Sequence, residues 1–143
     1  MSSPRNIYIA VIDDDESLCR SMSRLLRAAH LQPILYPSAE AFLADTKRPK
    51  FDCLVLDIQL KGISGLDLSQ RLSAVKDTTP VVFITAHDDP EVRAQAEASD
   101  CAGYFRKTDS GADVLAAIRR AISLEDSDAT RKSGIATDLE ESL

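Results

Sequence analysis

Histidine is nearly absent from the chain, with only His30 and His87, far apart in sequence, which argues against a histidine-based metal centre or catalytic pair. Cysteine is also sparse. Cys19, Cys53 and Cys101 are odd in number and widely separated, with no CxxC, which argues against a zinc site or a disulfide framework and fits reduced thiols. Cys53 reads as core packing, and Cys19 and Cys101 as structural or incidental. No apolar run is long enough to cross a bilayer. The N-terminal MSSPRN carries a single Arg before a run too short and too β-branched for a signal-peptide core, so the expectation is a cytoplasmic chain with no membrane segment. Positive charge is in deficit as well: 17 Lys and Arg against 23 Asp and Glu leave −6, which argues against nucleic-acid binding by this chain. Internal repeats and low-complexity stretches are missing too.

What remains is a 143-residue chain, 44% hydrophobic and 28% charged, the size of one domain with a real core. Apolar runs recur at Ile7–Ile12, Ile34–Tyr36, Cys53–Leu56, Val81–Ile84 and Ala102–Phe105, most of them continuous rather than alternating. Continuous runs suit strands buried on both faces of a parallel sheet. Between them lie helical signals. Leu18, Met22, Leu25, Leu26 and Ala29 form a stripe at helical spacing; Asp89-Pro90 is an N-cap followed by Pro at the first helical position; Ser64 with Asp67 and Ser110 with Asp113 have capping-box form. Helices are therefore expected at 64–75, 90–99 and 111–123, with a shorter one at 38–45. Repeated β-α alternation implies an α/β fold, a doubly wound five-stranded parallel sheet with right-handed crossovers.

The composition changes after Ser123. Residues 124–143 hold six acids against two bases, −4 of the net charge, and are expected to form a flexible acidic tail or linker fragment behind a domain spanning 1–123. A short helix near Asp138–Leu143 is compatible with the pattern.

Ligands of open α/β sheets bind beyond the carboxyl ends of the strands, where strand order reverses. Asp13 and Asp14 end the first strand, Asp57 the third, Thr85 the fourth and Lys107 the fifth. In the flavodoxin-like order 2-1-3-4-5 the first and third strands flank the switch point, so three carboxylates meet in one crevice opposite a hydroxyl and an ammonium. Bare carboxylates would disfavour one another's ionisation, and a divalent cation resolves the conflict. Magnesium, or manganese, suits an all-oxygen site completed by a phosphate oxygen, and Thr85 and Lys107 suit the remaining oxygens. The crevice is thus built to receive a phosphoryl group on a carboxylate. Asp15 and Glu16 belong instead to the start of the next helix, where acids favour the dipole.

These motifs, an acidic pair after strand one, VLDIQLKGISGLDL around strand three, FITAHDD after strand four and GYFRK at strand five, make residues 5–123 resemble the receiver domain of two-component response regulators. The resemblance implies phosphorylation of Asp57 by a sensor histidine kinase or phosphotransfer protein, with magnesium held by Asp14, Asp57 and the backbone carbonyl of Gln59, and Asp13 acting through a water. Thr85 and Lys107 would contact the phosphoryl oxygens. Thr85 and Tyr104 would act as the switch, reshaping the surface of helix four, strand five and helix five, with phosphorylation-dependent homodimerisation one form of output. Such a module promotes its own phosphotransfer and dephosphorylation without being a conventional enzyme. The segments TAHDD and QLKGISGLDL resemble members that carry a C-terminal helix-turn-helix, so both a stand-alone receiver and a piece of a longer regulator fit.

Two positions depart from the family pattern: Lys61 and Thr108 stand where prolines are usual. A cis bond before a non-proline costs about 2.5–4 kcal/mol, so a trans Lys107–Thr108 bond in a reshaped loop is the expectation, which puts the reach of Lys107 in question. Lys61 and His87 are positioned to modulate docking or hydrolysis; Arg106 reads as solvated. Three other readings compete. A haloacid-dehalogenase-like phosphatase would use Asp13 of Asp13-Asp14-Asp15 as nucleophile but leaves Asp57 unexplained. A receiver-like scaffold that takes no phosphate is motivated by Lys61 and Thr108. Flavin binding is disfavoured because acids, rather than Gly, Ser and Thr, follow strand one.

Overall fold

The computed structural model describes residues 5–133, with side chains to residue 123. Five parallel strands, β1 (Tyr8–Ile12), β2 (Gln32–Tyr36), β3 (Cys53–Asp57), β4 (Val81–Thr85) and β5 (Gly103–Arg106), lie in the order β2-β1-β3-β4-β5. The helices between and after them are α1 (Glu16–Ala28), α2 (Ala39–Ala44), α3 (Gly65–Ala74), α4 (Pro90–Ala98) and α5 (Gly111–Ser133). The expected doubly wound sheet is what forms.

The apolar runs explain the layering. Because side chains alternate along a strand, Ala10, Ile12, Leu54, Leu56 and Phe83 point into one core layer, which α2, α3 and α4 cover with Phe42, Leu68, Leu72 and Ala96. Ile9, Val11, Cys53, Val55, Val82 and Ile84 point into the other, covered by Cys19, Met22 and Leu26 of α1 and Val114, Ala117 and Ile118 of α5. Every residue of β3 and β4 is buried, as continuous apolar runs require. Pro33 is tolerated because β2 is an edge strand.

Capping residues set the helix starts. The carboxylates of Asp15 and Asp89 and the hydroxyls of Ser38 and Ser64 accept first-turn N–H groups of α1, α4, α2 and α3. Ser110 caps α5 through the Ala112 N–H (3.1 Å), not through the Asp113 N–H that the capping-box pattern suggests. Helices α1, α3 and α4 end on residues in the left-handed region, His30, Lys76 and Asp100, where glycine would be the unstrained choice.

The last helix runs further than expected: α5 does not stop near residue 123 but continues to Ser133. No Gly or Pro interrupts the sequence between Gly111 and Gly134, and extending an existing helix is far easier than nucleating one. The remainder of the expected tail, including the helix considered at Asp138–Leu143, lies outside the described residues. No helix among the described residues is long and apolar enough to cross a membrane.

Candidate functional site

Strand register brings the acids together. Ile12 pairs with Leu56 across β1 and β3, so Asp13, Asp14 and Asp57 emerge side by side at the carboxyl edge, and oxygens of all three carboxylates lie within 4.8 Å of one another. Asp13 and Asp57 are only 2% and 3% exposed, whereas Asp14 faces solvent. Two further strands supply the opposing wall: Thr85, fully buried, ends β4, and Lys107 follows β5 with its N–H on the Thr85 carbonyl (2.8 Å).

The Lys107 ammonium sits between the buried acids. Its Nζ lies 3.0 and 3.1 Å from the two Asp13 oxygens and 3.2 Å from Asp57 Oδ2, with Asp15 at 3.9 Å. Backbone N–H groups hold the other edges: Asp15 N–H donates to Asp13 Oδ1 (2.8 Å) and Gln59 N–H to Asp57 Oδ1 (3.0 Å). Asp13 Oδ2 touches Nζ electrostatically but off the hydrogen-bond axis, and is a buried oxygen with no hydrogen-bond partner. Burial pushes the Asp13 carboxyl up to about 6; the Asp15 N–H and Lys107 pull against this shift, and Asp57 adds to it. For Lys107, burial pulls the ammonium down, but the hydrogen bond and charge of Asp13 together with Asp57 outweigh it, leaving the group above the ordinary lysine range. Burial also raises the Cys19 thiol, as does the Asp13 charge; its Sγ donates to the Asp13 carbonyl (3.4 Å).

Lys107 arrives without the proline. Every described peptide bond is trans, Lys107–Thr108 included. Asp109 closes the turn in both directions: its N–H donates to the Arg106 carbonyl (2.9 Å), and its Oδ2 accepts the Arg106 N–H (2.8 Å). The Arg106 guanidinium, expected to be solvated, also lies 3.6 Å from Asp109 Oδ1. A self-bracing aspartate turn thus aims Lys107, and the Asp-Ser-Gly that follows Thr108 was the available signal for it.

The loop after Asp57 is shaped by residues the sequence reading passed over. Gly62 adopts φ +76, and Glu40 of α2 accepts the Ile63 N–H (3.0 Å); a Cβ on Gly62 would collide with that Glu40 carboxylate. Gly65 starts α3 pressed against the Asp57 backbone carbonyl, so that helix seats the acid from behind. Lys61 and Thr108 are exposed.

Thr85 is already engaged. Its hydroxyl lies 2.6 Å from Gln59 Oε1 and 2.8 Å from the His87 carbonyl, and accepts the His87 N–H (3.1 Å); Gln59 Nε2 donates to the same carbonyl (3.2 Å). Gln59 therefore enters through its side chain as well as its backbone, and His87 through its backbone. Tyr104 stands apart from the acids: its half-buried ring donates its O–H to Asp88 (3.2 Å), with the Arg93 guanidinium 5.1 Å from the ring centroid. A cavity of about 640 Å³ lined by Arg5, Lys50, Asp77 and Pro80, among others, holds none of these groups.

The family model of the response regulator receiver domain matches residues 9–119. The chain belongs to that family. The receiver is 32% identical over 122 residues to the response regulator protein TodT of Pseudomonas putida, an alignment covering 85% of this chain and 54% of TodT. It is 31% identical over 119 residues to the transcriptional regulatory protein FixJ of Azorhizobium caulinodans, covering 83% and 56%. The response regulator StyR superposes with a TM-score of 0.78 at 32% identity, over 97% of this chain and 71% of StyR. The chain thus spans about half the length of the curated relatives it matches. Nothing in these likenesses favours a dehalogenase-like phosphatase, and Asp15, the third acid of that pattern, caps α1 through the Leu18 N–H (3.1 Å).

Receiver domains bind magnesium at an acidic pocket, and the residues here fit such an ion. The donors are all oxygen, three carboxylates converge, and Asp13 Oδ2 is buried with the Lys107 ammonium at 3.0 Å but no hydrogen bond. One lysine faces two buried carboxylates, which leaves room for further positive charge.

Proposed function

We propose that this receiver accepts a phosphoryl group on Asp57 from the phosphohistidine of a sensor histidine kinase or phosphotransfer protein. The observation that carries the reading is the setting of Asp57: buried, at a strand end, with Oδ1 held by the Gln59 N–H, Oδ2 beside Lys107 and the other two acids within 4.8 Å. A carboxylate oxygen of Asp57 attacks phosphorus as the P–N bond to imidazole breaks, and the imidazole leaves with the bonding pair. Lys107 neutralises charge on the transferring group while the Gln59 N–H keeps the carboxylate oriented, so rate comes from positioning and electrostatics. Asp14, Asp57 and the Gln59 carbonyl would hold magnesium or manganese directly and Asp13 through a water; the ion, when bound, supplies charge neutralisation at the phosphoryl oxygens.

Hydrolysis of the acyl phosphate by water resets the module, so it promotes its own turnover without being a conventional enzyme. His87 and Lys61 at the rim, and Thr108 in the Lys107 turn, would tune docking and phosphate lifetime. The output is a change of surface: a phosphoryl group adds acceptor oxygens that draw in Thr85, and Tyr104 turns toward the space vacated. α4 is suited to move with it, since it buries only Ala96 fully. The altered α4-β5-α5 face would bind a partner or a second copy of the chain in the cytoplasm, and the net charge of −6 argues against direct nucleic-acid contact.

The test is incubation with acetyl phosphate and magnesium followed by intact mass. One added phosphoryl group in the wild type, absent without magnesium and absent in Asp57→Ala, is expected. No adduct in the wild type would favour a scaffold, and an adduct surviving Asp57→Ala would move the nucleophile elsewhere, Asp13 first.

A further inference from the structure

We infer that the Gln59 side chain is a latch that holds the Thr85 hydroxyl in the unphosphorylated position, and so sets how readily the receiver switches. The inference rests on phosphorylation of Asp57 as proposed above. It starts from hydrogen-bond geometry. Thr85 has a single hydroxyl proton and two acceptors in range, Gln59 Oε1 at 2.6 Å and the His87 carbonyl at 2.8 Å, while its oxygen already accepts the His87 N–H. The His87 carbonyl is also served by Gln59 Nε2 at 3.2 Å. One arrangement satisfies all of these groups at once: Thr85 donates to Gln59, Gln59 donates to His87, and His87 donates to Thr85. Reversing the Gln59 amide would set its oxygen against the His87 carbonyl and break the cycle.

The same residue also touches the phosphoacceptor, since its backbone N–H donates to Asp57 Oδ1 (3.0 Å). Gln59 therefore spans the two groups whose relation changes on phosphorylation: backbone on Asp57, side chain on Thr85. A phosphoryl oxygen that captures the Thr85 proton must first take it from Gln59 Oε1, so the strength of that bond opposes activation. Gln59 is exposed, so its released amide is met by water and the latch is a modest, tunable load. Gln59 is here a positioning residue that acts through Thr85.

The latch is tested by titrating beryllofluoride with magnesium into wild type, Gln59→Met, Thr85→Val and the double variant, following the Ala86 amide by NMR. Binding to the wild type establishes the underlying reading, and its absence would refute that reading separately. Gln59→Met keeps the side-chain length and removes both amide partners; it is expected to lower the half-saturating beryllofluoride concentration about fivefold, the scale of one ordinary hydrogen bond. In the Thr85→Val background the same substitution is expected to change it less than twofold, because there is no hydroxyl to release. Gln59→Ala serves as the second deletion and is expected to repeat the result. An unchanged or raised concentration in both Gln59 variants, or an equal shift in the Thr85→Val background, would overturn the latch.

Discussion

Asp13→Asn should make the metal-free protein more stable, although it removes a residue paired with a lysine. The Asp13 carboxyl rises from an ordinary 3.8 to about 6, with burial the largest cause, so its ionised form is a net burden on the fold even after Lys107 and the Asp15 N–H have helped. Two pKa units correspond to about 3 kcal/mol at neutral pH. The sign follows from proton binding: between pH 3.8 and about 6 the folded state holds more protons than the unfolded chain, so this group's contribution to stability falls as pH rises through that window and stays lost above it. Asn keeps an oxygen for the Asp15 N–H without the charge. Urea unfolding in EDTA at pH 7.5 should therefore show the variant more stable by about 2–3 kcal/mol, with the gap roughly halved at pH 5 as wild-type Asp13 protonates. Millimolar magnesium should shrink the gap at pH 7.5, because an ion that binds only the folded acidic site stabilises the wild type. A variant less stable than wild type at pH 7.5 without metal, or a gap indifferent to pH, would refute the reasoning.

Three further outcomes follow from other parts of the molecule. Lys76→Gly should raise stability by about 0.5–1 kcal/mol in thermal or urea unfolding, since Lys76 is exposed and occupies φ 61 at the end of α3. Gly65→Ala should cost about 1–3 kcal/mol and reduce phosphoryl incorporation measured by intact mass, because the new Cβ would meet the Asp57 carbonyl and come within 2.9 Å of Ile58 Cα. Native-state alkylation mapped by peptide mass should label Cys101 first and leave Cys53 untouched: Cys53 is fully buried with its thiol pushed up to about 12 by that burial, whereas Cys101 is half-buried.

The strand runs made the fold legible because a buried parallel strand has no polar face to hide, and β3 and β4 are buried throughout. Helix starts were legible for a similar reason, since Asp89-Pro90 and Ser64 place a capping oxygen beside free N–H groups. The far end of α5 was not. The acidic composition after residue 123 masked the absence of any helix breaker before Gly134. In the site, a strand-end position was enough to pick out Asp13, Asp14, Asp57, Thr85 and Lys107, whereas Glu40 was missed because its contact with the Ile63 N–H joins residues 23 apart.

Sequence alone determined the layered sheet and which acids stand at the carboxyl edge of its strands, because periodicity and strand ends are local properties of the chain. Tertiary structure decided how those groups meet. It shows that Lys107 reaches both buried acids through a trans turn braced by Asp109, that Asp13 keeps a buried oxygen without a hydrogen bond, and that Thr85 is already bonded to Gln59. Those facts depend on distances between chain segments and on the exclusion of water between them, neither of which a linear pattern carries.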